Sequence, residues 1–301
     1  MSETTLPDSL RGHFVVVNLG SAGDRDYALP AAIRAATTLV EIDAGKSSRS
    51  RGMYAAKHTL QSAVAGTRGA RKFIQRRYGL CSSLLEPRRE LIERYGLERY
   101  FEIVSESAVQ CERLPDLLNG LEIQSIDFLK TDLEGLDFEV IRSCEAMLPE
   151  ILAIQCELRF EPFYMGEPQF HEVASYLCER GFELIALQPE YWKPRTTHYR
   201  QHRDGRLAWA DCLFMRKASM VTQPLSQAKQ VIIAGMVGRR SWAEHLLSQY
   251  KSSLPATWIA DLEPLVRPHR SIRDTWIWKL LRRVRTAIRP SEFDHPHVAK
   301  W

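Results

Sequence analysis

The chain has 301 residues, 45% of them hydrophobic and 26% charged, the balance of a globular protein with a substantial core. A net charge of +4 is too small for this length to mark a nucleic-acid binder, so no nucleic-acid partner is expected. No apolar run reaches the roughly 20 residues that cross a bilayer, and residues 1–10 lack the basic start and apolar centre of a signal peptide, so a cytoplasmic location is expected.

In chain order, Phe14-Val15-Val16-Val17-Asn18-Leu19 is a continuous β-branched run, the pattern of a parallel strand buried on both faces, and it ends in the turn Gly20-Ser21-Ala22-Gly23. Residues 27–36 then predict a helix with Pro30 near its first turn, and residues 38–42 a second strand closing on Asp43. Residues 58–65 read as a third strand and 66–69 as a turn. Residues 87–95 look helical, residues 101–105 and 114–118 bracket a further connection, and Ile126-Asp127-Phe128-Leu129-Lys130 forms a strand ending at Thr131-Asp132. A helix starts near Leu136 with Phe138, Ile141 and Met147 on its core face. A strand over 151–156 ends at Glu157, a helix over 170–180 stops at Gly181, and two late strands cover 182–187 and 212–215. Alternating strands and helices predict a doubly wound α/β sheet.

After Lys217 the character turns helical, over 225–236 and 242–250, followed by a proline-containing link. Two regions are therefore expected: 1–217 as the α/β domain and 218–301 as a helical, basic C-terminal appendage. Beyond Arg267, Ile272, Trp276, Leu280, Val284 and Ile288 recur at helical spacing among Arg273, Lys279, Arg282, Arg283 and Arg289. Such a stripe either covers the protein's own core or makes a peripheral contact with an anionic membrane surface. The six cysteines Cys81, Cys111, Cys144, Cys156, Cys178 and Cys212 show no CxxC pair and no zinc spacing, so reduced, mostly buried thiols are expected.

In an open α/β sheet the ligand crevice lies beyond the carboxyl ends of the strands. The glycine turn at 20–23 lets backbone approach a ligand closely, and an acid at the end of the second strand can accept both hydroxyls of a ribose. Asp43 is the first choice for that acid and Glu41 the alternative, since alternation puts both on one face and only the strand end separates them. The turn is GxxG rather than GxGxxG, which argues against a pyrophosphate-cradling NAD or FAD site.

The segment Ile126-Asp127-Phe128-Leu129-Lys130-Thr131-Asp132-Leu133-Glu134-Gly135, followed by Phe138-Glu139-Val140-Ile141, resembles the central signature of FkbM methyltransferases. In the same order stand Val17-Asn18-Leu19-Gly20-Ser21-Ala22-Gly23, the strand ending at Asp43, Ala63-Val64-Ala65-Gly66-Thr67-Arg68-Gly69, Cys81-Ser82-Ser83-Leu84, Gln155-Cys156-Glu157, Tyr164 and Gly181-Phe182. The resemblance spans roughly residues 13 to 217. It implies the class I methyltransferase (Rossmann-like) fold and S-adenosyl-L-methionine as cofactor. It also implies that Gly20, Ser21 and Gly23 line the amino-acid end of that cofactor, Asp43 its ribose, and Ser62 and Ala63 its adenine. Asn18 stands where the family commonly has an acid, and Ala44 where it often has proline.

Methyl transfer needs an acceptor oxygen held in line, and a base to take its proton. Asp132 and Glu134 fall just beyond one strand and Glu157 beyond the next, so all three are expected to converge as catalytic residues. Asp132 is placed at the reaction centre, Glu134 orienting the loop or acceptor, and Glu157 as base or substrate contact, with Lys130 as an ion-pair partner. An acid just before a helix also serves as a cap, which is the competing role for Glu134. His171 is a further possible base. Three hard carboxylates are also the chemistry of a divalent-metal site, but Asp-x-Glu spacing is common and no metal is assigned. The aromatic loops Glu161-Pro162-Phe163-Tyr164-Met165-Gly166 and Tyr191-Trp192-Lys193-Pro194 are candidate walls for a small-molecule or glycan acceptor. The rival expectations are a sugar-modifying oxidoreductase and a non-catalytic nucleotide-binding or interaction module.

Overall fold

The computed structural model describes residues 5–20, 29–45, 52–197 and 204–267. Ser21, Gly23, most of the predicted glycine turn, and the basic amphipathic stretch at 272–289 lie outside the described residues. In chain order the helices are α1 (Leu6–Leu10), α2 (Ala31–Ala35), α3 (Arg89–Tyr95), α4 (Glu98–Phe101), α5 (Leu114–Gly120), α6 (Asp137–Ser143), α7 (Phe170–Glu179), α8 (Pro224–Met236), α9 (Arg240–Tyr250) and α10 (Ala256–Val266). The strands are β1 (Phe14–Leu19), β2 (Thr37–Asp43), β3 (Ala56–Gln61), β4 (Ala63–Val64), β5 (Gly69–Arg76), β6 (Ile103–Glu112), β7 (Phe128–Thr131), β8 (Ala153–Arg159), β9 (Phe182–Trp192) and β10 (Arg206–Arg216). No helix among the described residues is long and apolar enough to cross a membrane.

Seven strands form the central sheet in the order β3-β2-β1-β7-β8-β10-β9. Strands β3, β2, β1, β7 and β8 run parallel, and β10 lies antiparallel to both β8 and β9. The chain leaves β1 to one side for β2 and returns on the other for β7, so the end of β1 is a topological switch point where a crevice opens. Every residue of β1 is buried, as its unbroken β-branched run requires of a strand covered on both faces. One face of the sheet packs on α1, α2 and α8–α10 around Phe14, Val16, Phe128, Val231 and Ile232. The other packs on α5–α7 around Val17, Leu129, Ile141, Ile154 and Val173. This is a doubly wound α/β sheet with the strand order of a class I methyltransferase.

Five local readings change. The strand expected over 58–65 is divided at Ser62, with β3 joining the main sheet and β4 a separate sheet ordered β4-β6-β5. The ten-residue β6 of that sheet replaces the expected connection after residue 105. On α6 the buried residues are Asp137, Val140 and Ile141, while Phe138 is half-buried and meets Tyr176 edge-on at 5.1 Å. Strand β8 continues through Glu157 to Arg159, so Glu157 lies within the strand rather than past it. The link after α9 contains α10, entered from Pro255, with Pro264 inside it.

The helices after Lys217 share a hydrophobic cluster with β1 and α1. Lys229 of α8 reaches the amino end of the sheet, where its Nζ donates to His13 O at 2.6 Å and to both carboxylate oxygens of Asp127 at 2.9 and 3.0 Å. Asp127 Oδ2 also accepts the Val15 N–H at 2.7 Å.

Candidate active site

The carboxyl ends of β1, β2 and β7 meet through backbone hydrogen bonds. Gly20 N donates to Ile42 O at 3.0 Å, and Asp132 N donates to Leu19 O at 3.2 Å. Gly20 takes φ of +71°, and a Cβ there would lie 1.9 Å from Asp132 O, so both the dihedral and the closeness of the two strand ends demand glycine. The strand end separates the two acids of β2. Glu41 is buried within the strand and pairs with Lys57 of β3 at 3.0 Å. Asp43 is the last residue of β2, half-buried, and its Oδ1 accepts the Gly45 N–H at 2.7 Å. Ser62 N donates to Asp43 O at 3.0 Å, which brings Ser62 and the buried Ala63 beside that acid. The next turn docks on α6: Glu139 Oε1 accepts from Gly66 N and from Arg71 Nη1, each at 2.8 Å.

Beyond β7 the chain makes a tight turn into α6. Its Glu134 has φ of +51°, a conformation a non-glycine residue seldom adopts. Three contacts hold it. Ser83 Oγ donates to the Glu134 carbonyl at 2.8 Å, Tyr164 Oη donates to Glu134 Oε2 at 2.8 Å, and Arg159 Nη2 donates to the same Oε2 at 3.1 Å. Asp137 Oδ2 accepts the Leu133 N–H at 3.4 Å, so the residue that caps this turn is Asp137, and the side chain of Glu134 points elsewhere.

Asp132, Glu134 and Glu157 converge: one oxygen of each lies within 4.8 Å of the others. Such a group has the spacing to bind a divalent cation, but the chain supplies the positive charge itself. Arg159 Nη2 is 2.5 Å from Glu157 Oε1 as well as 3.1 Å from Glu134, and its Nε is 3.3 Å from Glu167 Oε1. The arrangement is therefore a carboxylate–guanidinium network. Burial pushes the Glu134 carboxyl up to about 7, with Asp132 and Asp137 adding repulsion while Arg159 and Tyr164 oppose it. Burial also raises Glu157, helped by Glu134 and Asp132 and opposed by Arg159. Two carboxyls that share one guanidinium give up their protons as a pair.

Of the other residues singled out, His171 sits exposed on the first turn of α7, and Lys130 is half-buried on β7. The aromatic loops divide. Tyr164 and Trp192 share one buried cluster, but only the Tyr164 hydroxyl reaches the carboxylates, while Trp192 packs 5.2 Å from the Tyr95 ring and 4.8 Å from the Phe163 ring. Glu161 accepts from Tyr95, Arg94 and Arg206 at 2.6–2.8 Å. Sequence reasoning missed Arg159, Glu167 and Asp137. The signal for Arg159 was its place two residues after Glu157, which puts both on one face of β8.

A search of curated proteins and one of solved structures find no match. The model of the methyltransferase FkbM domain matches residues 25–184, a span that contains β2 through α7, the turn bearing Asp132 and Glu134, and the Glu157–Arg159 end of β8. That span is more than half of the chain and its fold is that of a class I methyltransferase, so the chain belongs to the FkbM methyltransferase family.

Proposed function

We propose that this methyltransferase uses S-adenosyl-L-methionine to methylate a hydroxyl oxygen of a sugar, glycan or secondary metabolite in the cytoplasm. The observation that carries the reading is the convergence of Asp132, Glu134 and Glu157 at the carboxyl ends of β7 and β8, beside Gly20 at the switch point. The residues along this edge fit the cofactor: a position where no side chain can stand at Gly20, and a half-buried strand-end carboxylate, Asp43, next to Ser62 and Ala63. Gly20, with Ser21 and Gly23, would hold its amino-acid end, Asp43 its ribose, and Ser62 and Ala63 its adenine. When bound, the cofactor supplies a methyl group on a positively charged sulfur.

The chain's own residues then have separable tasks. Glu134, with its carboxyl pushed up to about 7, is poised to take the proton of a hydroxyl near neutral pH, the condition in which a general base typically contributes about 10²–10⁴-fold. Glu157, whose carboxyl burial and its neighbours also raise, is paired with Arg159 and contacts the acceptor beside Glu134. Asp132, whose backbone is fixed to β1, borders the reacting atoms and adds negative charge that favours proton transfer to Glu134.

Isothermal calorimetry with S-adenosylmethionine tests the reading on wild type and Asp43→Ala. Binding in the micromolar range that the variant loses is the expected result. No binding to well-folded wild type would instead favour a non-catalytic module on a methyltransferase fold.

A further inference from the structure

Glu134 is held in an unusual way. Both side-chain donors that reach it, Tyr164 Oη at 2.8 Å and Arg159 Nη2 at 3.1 Å, meet the same oxygen, Oε2. Its backbone is fixed separately by Ser83, and the left-handed φ of +51° keeps the side chain from relaxing into the orientation of an ordinary helix cap. The carboxylate therefore has one clamped oxygen and one, Oε1, without a hydrogen-bond donor among the described residues.

Tyr164 is itself seated by a second carboxylate. Glu167 Oε2 accepts the N–H groups of Phe163 and Tyr164 at 2.8 and 2.9 Å, while its Oε1 meets Arg159 Nε at 3.3 Å. The loop is also tied to the segment before α3. Arg88 N donates to Phe163 O, and Met165 N donates to Glu86 O, each at 2.7 Å. The Tyr164 ring is fully buried against Phe101 and Phe163, with centroids 6.4 and 5.6 Å away, so its hydroxyl has little freedom to leave Oε2.

We propose that Tyr164 is a positioning residue: with Arg159 it clamps Oε2 of Glu134, turns Oε1 toward the acceptor hydroxyl as the proton-accepting atom, and is held in register by Glu167. The assignment of Glu134 as base rests on the function proposed above; the clamp does not. A donor to a carboxylate favours its ionised form, so the hydroxyl also lowers the pH at which Glu134 becomes competent. The groups facing Glu134 that set this balance are Arg159 and Glu157 from β8, Asp132 on its own turn, Asp137 from α6, Tyr164 and Glu167 from the loop after β8, and Tyr78 and Cys81 from the segment after β5.

The test is a carbon-13 titration of the glutamate side-chain carboxyls in the full-length protein, with the Glu134 signal identified by its loss in Glu134→Gln. Tyr164→Phe keeps the buried ring and removes only the hydroxyl, and should raise the Glu134 midpoint by about 0.5–1 pH unit. Glu167→Gln keeps an oxygen to accept the Phe163 and Tyr164 N–H groups, so Tyr164 stays in register, but removes a negative charge competing for Arg159 and should move the midpoint down. Opposite displacements are the expected result; a Tyr164→Phe midpoint equal to wild type overturns the proposal. Should Tyr164→Phe not fold, an unmoved or raised midpoint in Glu167→Gln overturns it instead. S-adenosylmethionine calorimetry on the same samples keeps the two readings apart, because absent binding with the expected displacements sinks the function and leaves the clamp standing.

Discussion

At the scale of single residues, the site stores an unfavourable charge arrangement that pH should reveal. Asp137 is buried at the start of α6, and burial pushes its carboxyl up to about 7, aided by Asp132 and opposed by the hydrogen bond it accepts from the Leu133 N–H. Glu134 is raised to a similar value, again chiefly by burial. In the unfolded chain both lose their protons near pH 4. Between about pH 4 and 7 the folded state thus holds protons that the unfolded state has released, so this part of the stability falls as pH rises through that window, and is flat below it. Asp137→Asn keeps the shape and the acceptor for Leu133 N–H but carries no charge. It should match wild type near pH 4 and exceed it at pH 8 by about 1–4 kcal/mol, read from urea unfolding at the two pH values. Equal stability at pH 8 would show that Asp137 ionises there without cost.

At the scale of elements, what the sequence revealed follows from which strands are buried on both faces. Strands β1 and β7 were legible because Phe14–Leu19 and the run around Phe128 are continuous and apolar, and their ends located Gly20 and Asp132. Strand β6 was not, because residues 103–108 are exposed and carry no alternation to betray a strand. Arg159 escaped because β8 was ended at Glu157, although an arginine inside an apolar strand is unusual enough to mark a buried charge partner. Helix α10 was hidden by Pro255 and Pro264, the first of which caps the helix rather than breaking it. The junction of β1 with β7 is the element contact with the least tolerance. Gly20→Ala must move a Cβ away from an oxygen 1.9 Å distant and accept φ of +71°. It should cost several kcal/mol of unfolding free energy, on the order of 3 or more, and should weaken S-adenosylmethionine binding at temperatures where the variant is still folded. A variant as stable as wild type would mean that the two strand ends separate easily.

At the scale of the whole molecule, the helices beyond Lys217 are tied to the sheet at the end opposite the site. Within α8, Val231, Ile232 and Ile233 are fully buried, and each such side chain contributes about 1.5–3 kcal/mol. Lys229 looks in sequence like a solvated position in an apolar helix, yet it is buried and answers Asp127, which lies more than 100 positions earlier. A buried pair of this kind adds modestly to net stability, but removing one partner is costly, because the charge left behind has neither water nor a counter-ion. Lys229→Met should therefore destabilise by about 3–5 kcal/mol near neutral pH. The loss should shrink as pH falls, because burial already raises the Asp127 carboxyl and without Lys229 it will take up a proton more readily. Adding Asp127→Asn, which can still accept the Val15 N–H, should recover most of the loss and remove its pH dependence. A double-mutant cycle by urea unfolding at pH 5 and 8 measures this coupling. Additive losses at both values would mean that α8 is held by its apolar face alone, and the pair would then be a consequence of the docking and not one of its causes.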